Sequence, residues 1–529
     1  MKSLRRYAPP NIALLSLAVV LTIGLALRWT TPSQAGDLRP RPDALEYEES
    51  ARNWATGEGY CLIVDGEKYP PRYPFGFPAM LVPVLALADR GPGTGVLVVL
   101  ATGAGAIASA WVLGWQVGGA AAATLAALLL ALSPAHVRWS RGVMSDVPAS
   151  CIVGWLAVGA LLAARRSASV KAWSTLGLLT GLAATVRMTN AFLLFAAALL
   201  VPSGKGQLRR LAALALGAAA GIAPLFAWNA VRFGSPLADG YHLWVREYER
   251  FFSLALLSPP AGGGTAPNVY VYARAFAGFG DLYPWPVAAL VALGLIETAR
   301  RRGLGRLLLR AVIGFAVPLV ILQTFFFWQD TRFLLPLLPL VCALAAVPIG
   351  RDEPVAVRAA ALALAALAVG LLAGRPGTYP APPQVFYEPA ALADIAGRVE
   401  PNAAIIVQTN GAFFSRLVRT PGTDRVWVQL ELDEHQFRTR WMRLKPLAPA
   451  RSGATWINTD LAGPLDASTV ETAIRRLLAS GRPVYVSSLL DWEVPSLPQL
   501  FSVLQTRFRL EPIPVAAPWR LFRVRDGFH

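Results

Sequence analysis

The sequence predicts a polytopic α-helical membrane protein of about eleven transmembrane helices, followed by a small α/β domain. Three observations predict it. Of 529 residues, 55% are hydrophobic and 15% charged, with a mean hydropathy of +0.46, whereas a water-soluble chain of this length needs a larger polar share. Apolar runs recur at lengths that fit a bilayer core, each roughly 17–25 residues. The basic residues sit in short clusters between those runs, where topology signals belong.

The formal net charge is +17 and the pI about 10.3. Because the clusters alternate with apolar spans, this charge is read as membrane topology, and nucleic acid is not an expected partner. The three cysteines, Cys61, Cys151 and Cys342, are scattered. They form neither a disulfide framework nor a metal spacing. No cofactor is expected, and a divalent metal has no support in the sequence.

The first apolar run, 11–27, follows Lys2, Arg5 and Arg6. Ser33-Gln34-Ala35 resembles a small-residue cleavage site, so a signal peptide is the alternative. The membrane-embedded remainder favours a retained helix. That places the N-terminus in the cytoplasm and the loop 31–94 outside. Later runs lie near 95–115, 118–136, 146–164, 172–187, 189–203, 211–231, 284–299, 307–327, 332–349 and 355–374. Their alternation puts Arg165, Arg166, Lys171, Lys205, Arg209, Arg210, Arg300, Arg301, Arg302, Arg306, Arg310, Arg351 and Arg358 on one side. That side is the cytoplasm of a cell inner (plasma) membrane. Gly118-Gly119 is the only break between the second and third runs.

The expected division is therefore a membrane domain, 1–374, with outer loops 31–94 and 232–283, and an extracytoplasmic domain, 375–529. A proline-rich linker (Pro376, Pro380, Pro382, Pro383) opens the tail. Strand patterns follow at 403–409 and 426–430, then an amphipathic helix at 470–480 and a strand at 483–488.

The outer loops carry the candidate chemistry. Asp43, Tyr47 and Ala51 recur at four-residue spacing on one face of a short helix, which Gly57 and Gly59 end. Asp43 also fits a helix N-cap, with Glu46 completing a capping box. Pro70-Pro71-Arg72-Tyr73-Pro74-Phe75-Gly76-Phe77-Pro78 reads either as an interfacial belt or as a re-entrant piece with Arg72 facing a pocket. Ser133-Pro134 leads through Arg138 and Arg141 to Met144-Ser145-Asp146-Val147-Pro148 at the outer end of a span. An ionised side chain at that depth implies a partner or a wet cavity. Arg187 reads as a snorkelling anchor. Arg332 lies among Trp328, Gln329 and Asp330, an unusually polar setting.

These motifs, in this order, resemble the GT-C superfamily of glycosyltransferases. The first-loop Asp43-x-x-x-Tyr47-x-x-x-Ala51, the Pro70–Pro78 stretch, Ser133-Pro134 with Asp146, and Arg332-Phe333-Leu334-Leu335-Pro336 carry the resemblance. The most similar branch holds protein O-mannosyltransferases, lipid A aminoarabinose transferases and lipopolysaccharide-core transferases. The resemblance covers 1–350 and implies transfer of a sugar from a polyprenyl-phosphate donor to a lipid, glycan or protein acceptor outside the cytoplasm. It implies Asp43 as general base, since an aspartate of ordinary pKa, about 3.9, is ionised at neutral pH. Asp146 matches a second aspartate that shapes the site. Arg332, with Arg72 and Arg141, would meet the leaving phosphate. Tyr47, Tyr73, His242 and Glu247 would line the substrate pocket. Many relatives carry an acidic pair at the first position, whereas here Ala44 follows Asp43.

The rival reading is a transporter or flippase of lipid-linked or polar substrates. It expects internal repeats and midplane charges. The sequence shows no repeat, and its charges gather at the outer ends of the spans.

Overall fold

The computed structural model describes residues 11–30, 42–64, 67–89, 93–166, 168–241, 252, 257–259, 266–300, 303–326, 329–350, 353–374, 397–400, 403–408, 455–458, 467–490, 504–515 and 520–527. The helices run in chain order as α1 (Asn11–Thr30), α2 (Pro42–Ala55), α3 (Gly76–Ala88), α4 (Val96–Ala131) and α5 (Pro134–Trp139). Next come α6 (Asp146–Arg165), α7 (Val170–Val186), α8 (Leu193–Leu200), α9 (Gln207–Phe233), α10 (Asn268–Phe276) and α11 (Trp285–Arg300). Then follow α12 (Leu304–Phe325), α13 (Leu338–Ala346), α14 (Val355–Ala373) and α15 (Ala467–Ala479). The chain divides into two compact units, Met1–Ala35 with Pro74–Met80 and Gly95–Ala381, and Gly36–Tyr73 with Leu81–Thr94 and Pro382–His529.

In the first unit, six described stretches are long and apolar enough to cross a membrane: α4, α6, α9, α12, Thr331–Ile349 and α14. Ala13–Trp29 of α1, α7 and Met188–Leu200 are apolar but shorter. The protein is thus multi-pass, with fewer full-length spans among its described residues than the eleven apolar runs. One reason is visible in α4. Two runs expected at 95–115 and 118–136 join into 36 helical residues, broken only at Gly119 with φ 77° and ψ −159°. By helical rise a straight helix of that length spans about 54 Å, well beyond a hydrocarbon core of about 30 Å. Glycine at 119 supplies the left-handed backbone that lets the axis change direction. The third run ends early, because Ser133 accepts the His136 N–H and starts α5 as a separate helix.

Thr331–Ile349 is the central span, with 94% of its apolar window buried. It begins as a 3₁₀ turn, Thr331–Leu337, and continues as α13. Lipid could cover a helix apolar on every face, but here other helices do, since α13 packs on α4, α6, α11 and α12.

Helices α7 and α9 approach most closely. A Cβ on Gly181 would lie 2.2 Å from the Ala218 carbonyl oxygen, and one on Gly221 would lie 2.2 Å from that of Leu178. Gly177/Gly181 and Gly217/Gly221 each keep the four-residue spacing that lets backbones touch inside a membrane.

Helix α3 was expected as loop; its 13 apolar residues carry Pro83 internally.

In the second unit, β1 (Leu62–Val64) and β2 (Glu67–Tyr69) form an antiparallel hairpin after α2. The tail builds a five-stranded sheet from β3 (Ala404–Gln408), β4 (Thr455–Asn458), β5 (Val484–Leu490), β6 (Arg509–Ile513) and β7 (Leu521–Arg525), ordered β4-β3-β5-β7-β6. The β4-β3-β5 side is parallel and the β5-β7-β6 side antiparallel. Ile474 of α15 packs with Ala404, Val484, Val486, Leu504 and Phe508. Strands expected at 403–409 and 483–488 and the helix at 470–480 are β3, β5 and α15. The strand expected at 426–430 lies outside the described residues.

Gly181→Val places carbon atoms where the α9 backbone runs. It is expected to lower stability by about 2 kcal/mol or more, read as a lower midpoint of thermal unfolding in detergent, whereas Gly370→Val, whose Cβ meets nothing within 4 Å, leaves that midpoint unchanged.

Candidate active site

In the second unit, α2 starts at Pro42, so Asp43 lies in the first turn rather than capping it. The Glu46 carboxylate does not return to the helix start. It accepts the Arg72 backbone N–H, and the Arg72 side chain at 3.2 Å from Nε and 3.0 Å from Nη2. The same Nη2 lies 3.3 Å from Asp43 Oδ1. Arg72 is therefore engaged by two carboxylates. Burial pushes the Glu46 carboxyl up, against the pull of Arg72. Glu46 is 1% exposed, whereas the Asp43 side chain keeps 23% of its surface.

Aromatic contacts fix the rest of this loop. Tyr47 and Tyr73 stack at 4.4 Å, the Arg72 guanidinium lies 4.7 Å from the Tyr73 ring, and the Tyr60 hydroxyl donates to the Tyr73 carbonyl at 2.7 Å. Glu48 accepts the Gly93 N–H at 2.7 Å, and Glu49 pairs with Arg52. Each buried acid of α2 thus has its donor within the loop, as burial requires.

The first unit gathers arginines on aromatic rings. Arg332 lies 4.9 Å from the Trp139 ring and 5.1 Å from the Phe333 ring. Arg138 lies 5.7 Å from Trp139, and Arg187 lies 5.5 Å from Phe333. The negative ring faces lessen the repulsion between neighbouring cations. Acids complete the arrangement. Asp330 Oδ2 is 3.4 Å from Arg332 Nε, and Asp281 Oδ2 is 3.9 Å from Arg138 Nη1. Thr331 donates to Asp281 at 2.6 Å, while burial pushes the Asp281 carboxyl up.

Local chain geometry places these groups. Asp330 accepts the Arg332 N–H at 2.9 Å and starts the 3₁₀ turn. Asn268 of α10 donates to the Gln323 and Phe326 carbonyls, and Gln329 donates to Asn268 Oδ1. The Ala135 N–H donates to the Asp281 carbonyl at 2.9 Å, and Ser133 to that of Leu282 at 2.8 Å, which ties α5 to the loop before α11. Arg28, 1% exposed near the end of α1, donates to Ser140 Oγ, the Gly24 and Ala131 carbonyls and His136 Nδ1. A guanidinium cannot accept, so His136 is held with a bare Nδ1.

Asp146 is wholly buried, with Arg187 Nη1 2.9 Å from its Oδ1. The pair is a close contact without hydrogen-bond alignment, since neither Asp146 oxygen has a hydrogen-bond donor among the described residues. Asp146 therefore faces Arg187 and presents no surface of its own. Arg187, read from sequence as a surface anchor, is instead paired and 15% exposed. Gly76 explains its place in the aromatic motif, because a Cβ there would meet the Thr185 backbone at 2.4 Å. Arg141 lies half-buried beyond Arg138, its N–H donating to the Arg138 carbonyl at 3.4 Å. His242 and Glu247 lie outside the described residues. Sequence reasoning missed Arg28, Asp281 and Glu46 as partners. The first two carried the signal of an ionisable group beside an apolar run.

Among the described residues no group of three His, Cys, Asp or Glu could hold a metal ion.

Residues 73–230 match the family model described as dolichyl-phosphate-mannose-protein mannosyltransferase. No curated protein matches the chain by sequence. The fold is shared with ArnT from Cupriavidus metallidurans. Its structure bound to undecaprenyl phosphate aligns at TM-score 0.61 and 15% identity over 98% of each chain. Its apo structure aligns at 0.62 and 17% over 97% of this chain and 98% of that one. The Archaeoglobus fulgidus oligosaccharyltransferase in the apo form aligns at 0.53 and 14%, covering 97% of this chain and 74% of that one. The expected likeness to GT-C glycosyltransferases with polyprenyl-phosphate-linked donors is borne out. Asp43 and Arg332 both fall outside the segment matched by the family model.

Removing the Glu46 carboxylate by Glu46→Ala leaves the Arg72 N–H and guanidinium short of an acceptor. Amide exchange of α2 is expected to speed up roughly ten- to a hundred-fold, as loss of a charge-assisted hydrogen bond implies, while exchange in α6 stays unchanged.

Proposed function

We propose that this protein moves a sugar from a polyprenyl-phosphate donor to a hydroxyl of a lipid, glycan or protein acceptor outside the cytoplasm, inverting the anomeric carbon. The observation that carries the reading is the arginine cluster of Arg138 and Arg332 on Trp139, in a fold shared with a structure that holds undecaprenyl phosphate.

The chemistry assigns a role to each group. The acceptor oxygen attacks the anomeric carbon as its proton passes to the Asp43 carboxylate. The bond from that carbon to the phosphate oxygen breaks, and its electron pair leaves with the lipid phosphate. A phosphate diester becomes a monoester, so negative charge grows on the leaving group. Arg332 meets it, with Arg138 on the same ring; a guanidinium fork holds two phosphate oxygens at once. Arg72, 3.3 Å from Asp43 Oδ1, orients the base. Tyr47 and Tyr73 form a stacked wall suited to a sugar ring.

In this reading residues 1–374 form the catalytic membrane domain with outer loops 31–94 and 232–283, and 375–529 the extracytoplasmic domain. The N-terminus is cytoplasmic and the membrane is the inner (plasma) membrane.

Transfer is measured in membranes supplied with radiolabelled polyprenyl-phosphate sugars. Wild type is expected to consume one donor. Asp43→Asn should lower kcat at least a hundred-fold, in keeping with general-base loss, with insertion unchanged. Arg332→Ala should cost about ten- to a hundred-fold in kcat/KM, the range for a lost charge-assisted hydrogen bond. A fully active Asp43→Asn enzyme would show that Asp43 only builds the first turn of α2.

A further inference from the structure

We propose that Arg187 is a further cation for the leaving phosphate and that Asp146 is its positioning residue. The inference rests on the transferase reading and adds a residue to its phosphate site.

Helix α7 ends at Val186, and Arg187 takes an extended backbone, φ −153° and ψ 121°. Its side chain reaches α6, with Nη1 2.9 Å from Asp146 Oδ1 and donating to Ser145 Oγ at 3.3 Å. Its guanidinium carbon is 5.5 Å from the Phe333 ring, and that of Arg332 is 5.1 Å from the same ring. Two arginines distant in sequence therefore share one aromatic side chain. A snorkelling anchor would instead extend alone into water.

Asp146 is closed off from any ligand, yet a buried carboxylate is strongly disfavoured unless a cation faces it. Its role is to hold Arg187. Among the described residues Nη1 makes the contacts to Asp146 and Ser145, and Nε is buried without a hydrogen-bond partner. A guanidinium carries five donor hydrogens, so the two on Nη2 remain for phosphate oxygens. Being held already, the group loses little rotamer freedom on binding. The added charge of the phosphate monoester gives Arg187 a stronger partner after the sugar leaves than before it, which is the condition for lowering the barrier.

A purely structural pair would pin α6 to α7 without touching phosphate. The test uses the full-length protein in nanodiscs, with undecaprenyl phosphate and an undecaprenyl-phosphate sugar that wild type consumes as probes. Arg187→Ala should weaken undecaprenyl phosphate binding about ten-fold or more, and weaken binding of the sugar-linked donor less. Arg187→Lys should recover part of the loss. Asp146→Asn should weaken binding by a smaller factor and add nothing in the Arg187→Ala background. Should Arg187→Ala not fold, Arg187→Gln, which can still donate to Ser145, carries the same expectation. Wild-type affinity in a folded Arg187→Ala or Arg187→Gln protein overturns the proposal and leaves the transferase reading standing. So does a loss equal for both lipids that follows the fall in thermal stability. Wild type that consumes no polyprenyl-phosphate sugar and binds no undecaprenyl phosphate overturns both.

Discussion

A charged side chain beside a bilayer core must be paired, stacked or wet, and that constraint organises the ends of these helices where the arginines gather. Arg28 is satisfied by carbonyls, a serine and an imidazole. Arg187 has a buried aspartate. Arg138 and Arg332 share a tryptophan and keep looser acids at 3.9 and 3.4 Å. In the transferase reading, Arg28 fixes the scaffold, while Arg138 and Arg332, stacked on one tryptophan, face the incoming phosphate. Arginine suits both tasks, because its planar charge stacks on rings and grips oxygens along its edge.

The segment around α2 meets the same constraint from the acidic side. Helix α2 buries Glu46, Glu48 and Glu49, and the loop supplies a donor to each from its own chain. Asp43, on the same helix, keeps 23% of its side-chain surface beside Arg72. In the transferase reading it is the general base, which has to be oriented and reachable. The buried glutamates hold the helix on which it stands.

Much of the fold was legible in the sequence. Apolar runs gave α6, α9, α12 and α14 within a few residues, because hydropathy over a full span is a strong signal. The glycine pair marked the kink at Gly119. Helix α3 was missed since 13 residues with an internal proline fall below the length of a span. The site was legible by residue type more than by pairing. Asp43, Asp146, Arg72 and Arg332 were singled out, yet their partners were not. Arg187 lies 41 positions from Asp146 and Arg28 lies 108 from His136, and nothing local in a sequence encodes a contact of that range. Periodicity placed Tyr47 on the face of Asp43, but only the folded loop brings Tyr73 onto it.

The central claim is that the arginines on Trp139 and Phe333 receive the lipid phosphate. The most direct measurement is a structure of the full-length protein with undecaprenyl phosphate bound. The account predicts phosphate oxygens within hydrogen-bond reach of the Arg332 guanidinium, with its contact to Asp330 lengthened. Phosphate held elsewhere, with Arg332 still on Asp330 and Trp139, would contradict it.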